Sequence, residues 1–470
     1  MSIVTVPTVS ATMSAGSILG KSNACVHTFE PAIVQGTVAV IGAGKIGLPL
    51  CAQFVGHSWN VVAVDNNPAV VVSINRGESH IGDEPKVAKQ ILSGVEAGWL
   101  YATGSIHQAV SKADVVVVII PVAVDENKDP DFTAMDRVVE EIGASVQLGT
   151  IIIFETTVPI GTTRNRYVPM LEMNSGMKVG VEFYVAFSPE RVSSGSIIST
   201  LNTYPKLVGG VNKISTQAAA EFYDAVLDTE VVKMTSSEEA EFAKLMDTTY
   251  RDVNIALASE FATIADNLGL DVQEVISAAN SQPYSNVHQP GIGVGGHCIP
   301  VYPHMLMAST GVDTPMIALA RTLNDMGIYR AVDEVQQTAI NLEGRIVLVL
   351  GLTYRDGVKE LAYSRAIPLI KRLKWVGATV FAWDPLLTEN EIRALGVEAW
   401  SWGVGLPAVA IISQTADPMF EDIDVAWFPG LEVIYDGRNS LRKVRIPADV
   451  RYVGVGIQGN HRLDWGPIGI

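Results

Sequence analysis

Cysteine, positive charge and long hydrophobic runs are all scarce in this chain. Its 470 residues include three cysteines and no CxxC pair, which excludes a disulfide framework and favours a reducing compartment such as the cytoplasm. Basic residues number 33 against 50 acidic ones, for a net charge of −17, so nucleic acid and anionic membranes are disfavoured as partners. The apolar run at 115–124 is too short to span a bilayer, and the eight histidines show no metal-ligand spacing. We therefore predict neither membrane insertion nor a bound metal.

Short apolar runs alternate with helical patterns in two separate stretches of the chain. Because these runs are continuously apolar, they predict strands buried on both faces, hence parallel sheets with helices on each side. We predict an α/β protein with two Rossmann-like, doubly wound parallel-sheet domains joined by a central long-helix domain. The predicted strands are 37–42, 60–65, 113–121, 150–156 and 184–189 in the first stretch, and 345–352, 378–385, 409–413, 425–428 and 431–437 in the second.

The length, 48% hydrophobic content and 18% charged content fit a compact protein of several domains. The predicted boundaries are 35–215 for the first Rossmann domain, 216–340 for the helical domain and 341–470 for the second Rossmann-like domain. Residues 1–34 lack the basic and continuously apolar regions of a signal peptide, so we predict a disordered N-terminal tail.

The first predicted strand runs into VIGAGKIG, which places Gly42, Gly44 and Gly47 in GxGxxG spacing. These glycines permit a tight turn, close approach to a pyrophosphate and close helix packing. Asp65 ends the next strand, where an acid accepts hydrogen bonds from a ribose 2′-hydroxyl, so NAD is favoured over NADP. The alternative is that Asp65 is only a turn residue. The predicted cofactor contacts also include Lys45, Ile46, Asn66 and Val122.

Ligands of doubly wound sheets bind beyond the carboxyl ends of the strands. The segments ETTVPIGTTR (155–164) and SPERVSSG (188–195) follow predicted strands there, and Glu190 is a natural general base, although a surface carboxylate would look the same. A long helix is predicted next, with Ser236 or Ser237 as N-cap and Gly269 as its stop. It carries one polar stripe, which either faces solvent or, since the helix is otherwise apolar, lines a cavity: Lys244, Asp247, Thr248, Arg251 and Asn254.

Cys298 lies in GIGVGGHCIPVYP (291–303), directly after four glycines in six residues. A free cysteine usually behaves as a small buried hydrophobe. The other interpretation is a reactive thiol that a substrate must approach closely.

Several segments together resemble one family. TVPIGTTR, SPERVSSG, KLMDTTYRDVNIALASE, GVGGHCIP, VLGLTYR and DGRN, in this order over about 37–458, are similar to the UDP-glucose/GDP-mannose dehydrogenase family. Within it, YRDVNIA and GGHC most resemble the forms that act on UDP-N-acetyl-mannosamine, with those acting on UDP-N-acetyl-glucosamine close behind. The resemblance implies oxidation of the sugar C6 alcohol to a carboxylate by two hydride transfers to NAD+.

The resemblance also implies roles for individual residues. Cys298 would be the nucleophile that forms a thiohemiacetal and then a thioester, and Lys244 would neutralise oxyanions. Glu190 would be a base, Thr157 would order water near the nicotinamide, and Thr248 would donate a hydrogen bond. The third domain would bind UDP, and a homodimer would form on the long helix. The implied substrate contacts are Lys206, Lys244, Arg251, Asn254, His288, Gly295, Tyr354, Arg355 and Arg438.

Three positions depart from the family pattern. Tyr302 replaces the common Asp four residues after the nucleophile, Thr248 replaces an Asn, and Ala362-Tyr363-Ser364 replaces Arg-Glu-Ser. A tyrosine, with a pKa of about 10, is not a base at pH 7, so thioester hydrolysis needs another group. Two alternatives stay open: a two-electron dehydrogenase of the 6-phosphogluconate or β-hydroxyacid type, and a non-catalytic binder of UDP-sugar or NAD.

Overall fold

The computed structural model describes residues 35–81, 84–192, 197–339 and 341–457. The tail predicted over residues 1–34 lies outside these ranges. Within the described ranges, every helix is too short or too polar to serve as a membrane span.

Within the described residues, ten strands precede the long helix, and eight of them form one sheet in the order β10-β9-β8-β7-β4-β1-β2-β3. Neighbouring strands are parallel except for β8 and β9, which are antiparallel. The remaining two, β5 and β6, form an antiparallel hairpin. The strands are β1 (Thr37–Ile41), β2 (Asn60–Val64), β3 (Leu100–Thr103), β4 (Val115–Val118), β5 (Ala123–Val124), β6 (Pro130–Asp131), β7 (Ile151–Phe154), β8 (Tyr184–Phe187), β9 (Lys206–Gly210) and β10 (Val231–Lys233).

Helices cover both faces of this sheet. Alternate residues of β1 enter two different cores, since Val38 and Val40 belong to one and Ala39 and Ile41 to the other. This explains why the strands are apolar throughout. The helices are α1 (Gly47–Gly56), α2 (Pro68–Asn75), α3 (Pro85–Glu96), α4 (Ile106–Val110), α5 (Thr133–Gly143), α6 (Val168–Ser175), α7 (Ile197–Leu201) and α8 (Lys213–Val226), with a π-helical turn at Thr163–Tyr167.

The strand order reverses between β1 and β4, so the crevice beyond their carboxyl ends is the expected ligand site. The sheet continues through β10 at Val231–Lys233, and α8 packs on it, past residue 215 where the first domain was predicted to end. We propose Lys233 as the last residue of this domain.

The helical span is built on α9 (Ser237–Leu268). Its N-cap is Ser236, whose hydroxyl accepts from the backbone N–H of Glu239 at 3.2 Å, and it stops at Gly269 with φ +68°, so the predicted start and end are confirmed. The further helices of this span are α10 (Val272–Asn280), α11 (Tyr302–Ser309) and α12 (Pro315–Thr338).

A second sheet follows, entirely parallel, in the order β13-β12-β11-β14-β15-β16. Two helices lie between its strands in the chain. Together with the first sheet it confirms the predicted fold class. The elements are β11 (Ile346–Leu350), α13 (Ala366–Trp375), β12 (Thr379–Trp383), α14 (Glu389–Ala394), β13 (Glu398–Ala399), β14 (Ala408–Ser413), β15 (Val433–Asp436) and β16 (Arg451–Gly454).

The strand predicted at 425–428 is wrong. Val425–Trp427 forms a 3₁₀ turn, because the Asp424 carboxylate caps it by accepting from the N–H of Ala426 at 2.9 Å. Trp427 then packs on Trp400 and Trp402. An apolar aromatic run here serves side-chain packing rather than strand pairing.

One buried polar contact holds α9 against α12. The Asp252 carboxylate accepts from the guanidinium of Arg321 and from the Asn324 amide, the latter at 2.8 Å. Asp252 is fully buried and Arg321 nearly so. Replacing both partners of such a pair by hydrophobic residues changes the stability of a protein little. Replacing only one partner is costly, because the other charge is then buried without a counter-charge.

Arg321→Leu should therefore lower the free energy of unfolding by about 3–5 kcal/mol, because Asp252 loses its counter-charge. Chemical denaturation monitored by circular dichroism would measure this. The matched control is Arg330→Leu on the same helix, which gives up a hydrogen bond to the neutral hydroxyl of Thr263 at 3.0 Å and should cost about 1 kcal/mol. Equal losses in the two variants would contradict the argument.

Candidate active site

The glycine-rich loop is tight on one side and open on the other. Gly42 has φ +100°, and a β-carbon on it would lie 2.8 Å from the Ile119 carbonyl oxygen. A β-carbon on Gly47 would lie 1.7 Å from the Gly42 carbonyl oxygen, whereas one on Gly44 would meet nothing within 4 Å. The N-terminus of α1 carries no side-chain cap. The open side at Gly44 is therefore where a phosphate can approach the free N–H groups of the helix.

Asp65 is placed beside this loop by two hydrogen bonds. Its Oδ2 accepts from the Ala43 N–H at 3.1 Å and its Oδ1 from the Asn67 N–H at 2.9 Å. Each carboxylate oxygen has a second lone pair, so hydroxyl donors can still bind. Asp65 is thus a turn residue and is also positioned for a ribose. Together, the open glycine loop and this acid fit a dinucleotide without a 2′-phosphate.

The other predicted cofactor residues border the same crevice. Ile46 is the N-cap residue of α1, and Val122 is buried just before β5. Asn66 is exposed next to Asp65. Lys45 is exposed on the loop, and its Nζ contacts Glu360 of the second sheet's domain at 2.5 Å.

Lys244 and Glu190 meet at the carboxyl end of the first sheet. The Lys244 ammonium, nearly buried, donates to the backbone carbonyl of Glu190 at 2.6 Å. Burial lowers the pKa of this ammonium, and the negative charges of a Cys298 thiolate and of Glu190 oppose that shift. Thr248 lies one turn further along α9, and its hydroxyl donates to the Lys244 carbonyl at 3.3 Å. Lys244 therefore faces both predicted catalytic loops, while Thr248 is bonded to its own helix.

Cys298 is exposed, and Tyr302 lies one helical turn further along the chain. The backbone N–H of Tyr302 donates to the Cys298 carbonyl at 2.9 Å, and the centre of its ring lies 5.9 Å from the Lys244 Nζ. The side chains of Thr157 and Cys298 both act on its hydroxyl. Burial, followed by the charge of Cys298, raises the pKa of Tyr302 far above its usual value. The phenol therefore stays protonated, and the structure brings together the thiol, the ammonium, the threonine and this unpredicted tyrosine contact.

Lys206 does not face an open cleft. Its Nζ lies 3.1 Å from Glu190 Oε2, 3.2 Å from Glu155 Oε2 and 4.8 Å from the Tyr223 ring centre. The residue is 5% exposed. Contact with a substrate, which the resemblance implied for Lys206, is not what this geometry supports.

Asn254 organises a loop rather than presenting its amide to solvent. Its Nδ2 donates to the Asn286 carbonyl at 2.7 Å, and its Oδ1 accepts from the His288 N–H at 2.8 Å. Burial, with a smaller contribution from the charge of Arg251, lowers the pKa of His288. Arg251 itself is exposed. Asn254 therefore holds residues 286–288, where the segment that leads to Cys298 begins, against α9.

The glycines before Cys298 make room for the second sheet's domain. A β-carbon on Gly295 would lie 2.9 Å from the Tyr363 carbonyl oxygen, and one on Gly296 would lie 3.0 Å from the Tyr354 ring. One on Gly291 would lie 3.1 Å from the guanidinium of Arg438. The Arg355 guanidinium lies 5.7 Å over the Tyr354 ring. The predicted nucleotide-binding residues of the last domain thus converge on the Cys298 loop.

Three acidic residues of the site were not singled out from the sequence. Glu155 directly follows β7, where a charge ends an apolar run, and Glu241 lies one turn before Lys244 on α9. Glu360 contacts Lys45 and also His297, at 3.5 Å. Burial opposes its ionisation, but the Lys45 hydrogen bond lowers the pKa of Glu360 to about 2. Of the three, only Glu155 and Glu241 could have been noticed in the sequence, because each places a carboxylate within an apolar pattern.

Comparisons with known proteins agree with this geometry. Three models of the UDP-glucose/GDP-mannose dehydrogenase family match the chain: the NAD binding domain over residues 36–227, the central domain over 238–326 and the UDP binding domain over 348–443. UDP-N-acetyl-D-mannosamine dehydrogenase of Pyrococcus horikoshii is 32% identical over 429 residues, covering 89% of this chain and 99% of that protein.

Two further relatives bear on the class. NDP-N-acetyl-D-galactosaminuronic acid dehydrogenase of Ralstonia solanacearum is 31% identical over 343 residues, covering 72% of this chain and 80% of that protein. The solved structure of the Pyrococcus horikoshii UDP-D-ManNAc dehydrogenase has a TM-score of 0.81 at 30% identity, covering 89% of this chain and 99% of that one.

The fold and the site define an NAD-dependent dehydrogenase acting on UDP-sugars, an oxidoreductase. The chain belongs to the UDP-glucose/GDP-mannose dehydrogenase family. The predicted cofactor, NAD, and the resemblance noted in the sequence are both confirmed.

The glycine loop yields a test that separates folding from cofactor binding. Gly44→Val should leave the melting temperature nearly unchanged, because its side chain meets open space, but should weaken NADH binding by about tenfold or more by filling the pyrophosphate approach. NADH fluorescence titration and differential scanning calorimetry would measure the two effects. Gly47→Ala, which collides with the Gly42 carbonyl, should instead lose stability. Unchanged NADH affinity in Gly44→Val would place the cofactor elsewhere.

Proposed function

We propose that this chain oxidises the C6 alcohol of a UDP-sugar to a carboxylate, in a four-electron reaction with Cys298 as nucleophile. The best-supported substrate is UDP-N-acetyl-D-mannosamine. The observation that carries the proposal is the assembly of an exposed thiol, a buried ammonium and a hydroxyl pair beside the cofactor loop. These are Cys298, Lys244, Thr157 and Tyr302.

The chain's own groups account for the steps at C6. When bound, NAD+ supplies the acceptor for the hydrides that C6 loses. The Cys298 sulfur attacks the C6 aldehyde to form a thiohemiacetal, whose oxidation leaves a thioester; water then cleaves the C–S bond and returns the thiol. The Lys244 ammonium stabilises the oxyanion of each tetrahedral species, in a site where burial strengthens the interaction.

Tyr302 stands where the family has a carboxylate after the nucleophile, and a protonated phenol cannot activate the hydrolytic water. Its raised pKa leaves it one O–H to donate near Cys298. The base is then Glu190. Burial opposes ionisation of Glu190, but the Lys206 ammonium more than offsets this and the pKa of the carboxyl falls below its usual value. Glu190 is therefore ionised at pH 7 and can accept a proton.

The sugar assignment rests on relatives whose names specify N-acetylmannosamine, although one specifies an N-acetylgalactosaminuronic acid. UDP-N-acetyl-glucosamine and UDP-glucose are the alternatives. A two-electron dehydrogenase needs neither the thiol nor the second sheet at residues 346–454. Both are present, and the glycines just before the thiol lie against the second sheet's domain. A binder without catalysis would not need a buried ammonium facing a thiol.

The decisive measurement is the yield of NADH at 340 nm with limiting UDP-N-acetyl-mannosamine, UDP-N-acetyl-glucosamine or UDP-glucose. Wild type should give two NADH per sugar with one of them. Cys298→Ser should lower kcat by roughly 10³-fold or more and give at most one NADH per sugar, because no thioester forms. The control is Cys51→Ala, a buried cysteine of α1, which should keep the yield of two. One NADH per sugar, unaffected by Cys298→Ser, would instead indicate the two-electron class.

We also propose that the chain forms a homodimer through α9. The sequence predicts that α9 is buried. In the single chain, however, one stripe of apolar side chains on this helix is exposed to solvent, each side chain by 38–61%. Contiguous apolar surface of this kind marks an interface. The stripe consists of Phe242, Met246, Tyr250, Leu257, Phe261, Ile264 and Leu268.

Phe261→Glu should convert the dimer to monomers at micromolar concentration, because association would bury the introduced carboxylate. Light scattering coupled to size exclusion would measure the mass. Met173→Glu is the matched control, since Met173 is an exposed apolar residue of α6, away from the stripe, and it should leave the dimer intact. A monomeric wild type would refute the proposal.

A further inference from the structure

We propose that Lys206 is a positioning residue that keeps Glu190 ionised, and that Glu155 leaves the ammonium to Glu190 by taking up a proton itself. The proposal rests on the proposed function, in which Glu190 is the base. It reassigns Lys206 from a substrate contact to a buried counter-ion, and it gives Glu155 a role that the sequence did not suggest.

The antiparallel strand explains how three charges meet. Glu155 and Glu190 follow the carboxyl ends of the parallel strands β7 and β8. β9 runs the other way, with Gly209 opposite Phe187, so its first residue, Lys206, lies at that same edge. A parallel β9 would have put this residue at the opposite end of the sheet. The one antiparallel pairing in the first sheet therefore delivers an ammonium between two carboxylates.

Two of the three groups are buried and the third nearly so. Lys206 is 5% and Glu155 1% exposed, and the side chain of Glu190 is 11% exposed. The ammonium touches both carboxylates, at 3.2 Å for Glu155 and 3.1 Å for Glu190. The Tyr223 hydroxyl of α8 donates to Glu155 Oε1. The second oxygen of Glu190 accepts from the N–H groups of Arg191 and Val192, at 2.6 and 3.0 Å.

The remaining charges around Glu190 come from α9 and its own loop. Lys244 donates to its backbone carbonyl, and the Arg191 guanidinium bonds to the Pro205 carbonyl. Neither contacts the Glu190 carboxylate itself. Lys206 is therefore its direct counter-charge, and Glu155 competes for that ammonium.

The two carboxyl groups take up protons in different pH ranges. Burial raises the pKa of Glu155 to about 7 despite Lys206, whereas the pKa of Glu190 lies below its usual value. Glu155 is therefore already protonated where Glu190 titrates, and a neutral glutamine in its place should leave the Glu190 pKa unchanged. Without the Lys206 ammonium, Glu190 loses its counter-charge, and the Glu190 pKa should rise.

The test uses the full chain with Lys206→Met and Glu155→Gln. Difference infrared spectroscopy of the unliganded protein between pH 3 and 9 follows carboxyl protonation, and Glu190→Gln identifies the Glu190 band. Lys206→Met should raise the Glu190 midpoint by about 1 pH unit or more. Glu155→Gln should leave that midpoint in place and remove one carboxyl group that titrates near neutral pH. The acidic limb of the kcat profile should move to higher pH in Lys206→Met alone, while KM for the UDP-sugar stays within about twofold.

The matched control is Glu241→Gln. It removes another buried carboxyl, whose pKa burial raises to about 7 but whose hydrogen bonds go to Gly161 and Thr163, and it should leave the Glu190 midpoint in place. An unmoved Glu190 midpoint in Lys206→Met would overturn the proposal, and so would a Glu190 midpoint that shifts in Glu155→Gln. A large rise in KM for Lys206→Met with an unmoved pH profile would also overturn it, since this would place Lys206 on the substrate.

The infrared measurement needs no turnover. If no UDP-sugar were oxidised, the proposed function would fail while the role of the Lys206 charge could still be confirmed or refuted. If Lys206→Met did not fold, Lys206→Gln, whose neutral amide can still bind the carboxyl groups, would test the loss of the charge in its place.

Discussion

Hydrogen bonds from side chains of one helix, α9, hold several segments of the site. This helix packs against the first sheet at its start and against α12 further along, so its polar side chains reach segments far apart in the chain. Each of them satisfies a backbone or charged group that burial would otherwise leave unpaired. The four residues are Glu241 on the Gly161–Thr163 turn, Lys244 on the Glu190 carbonyl, Asp252 on Arg321 and Asn254 on residues 286–288.

Burial of charge also determines which groups carry protons. Lys206 stays charged in the interior because two carboxylates face it, whereas Lys244, whose ammonium donates to a backbone carbonyl, has a lowered pKa. The two lysines are of one residue type, yet the first organises a base and the second faces the thiol. The two lysines differ in the number of negative groups near the ammonium, and their pKa values differ for this reason. One edge of the sheet can therefore carry two chemical functions.

Much of the fold and part of the site follow from local patterns. The glycine loop, Asp65 and the ends of α9 depend on residues close in sequence, and the structure places all of them as the spacing predicts. The short edge strands β3, β10, β13 and β16 were not predicted, because few residues and partial exposure weaken their apolar signal. The interior strand β9 was not predicted either. The composition of a strand does not determine its direction in the sheet. The antiparallel direction of β9, and with it the burial of Lys206, could therefore not be predicted.

The glycines before Cys298 show a similar limit. Their number indicated a close approach, which the structure has, but the groups that approach come from Tyr354, Tyr363 and Arg438 of the last domain. A sequence pattern can reveal that space is needed without showing what fills it. The partner lies some sixty residues or more away in the chain, beyond any local signal.

The contacts between domains have an evolutionary consequence. Lys45 on the cofactor loop pairs with Glu360, Asp271 pairs with Arg442, and the Val272 N–H donates to the Gly456 carbonyl. The three segments that match family models are therefore joined by specific complementary pairs. A recombination event that imported the last segment from a distant relative would bring a foreign partner for each of them. Segments of this chain are expected to be inherited together, with the pairs changing in step.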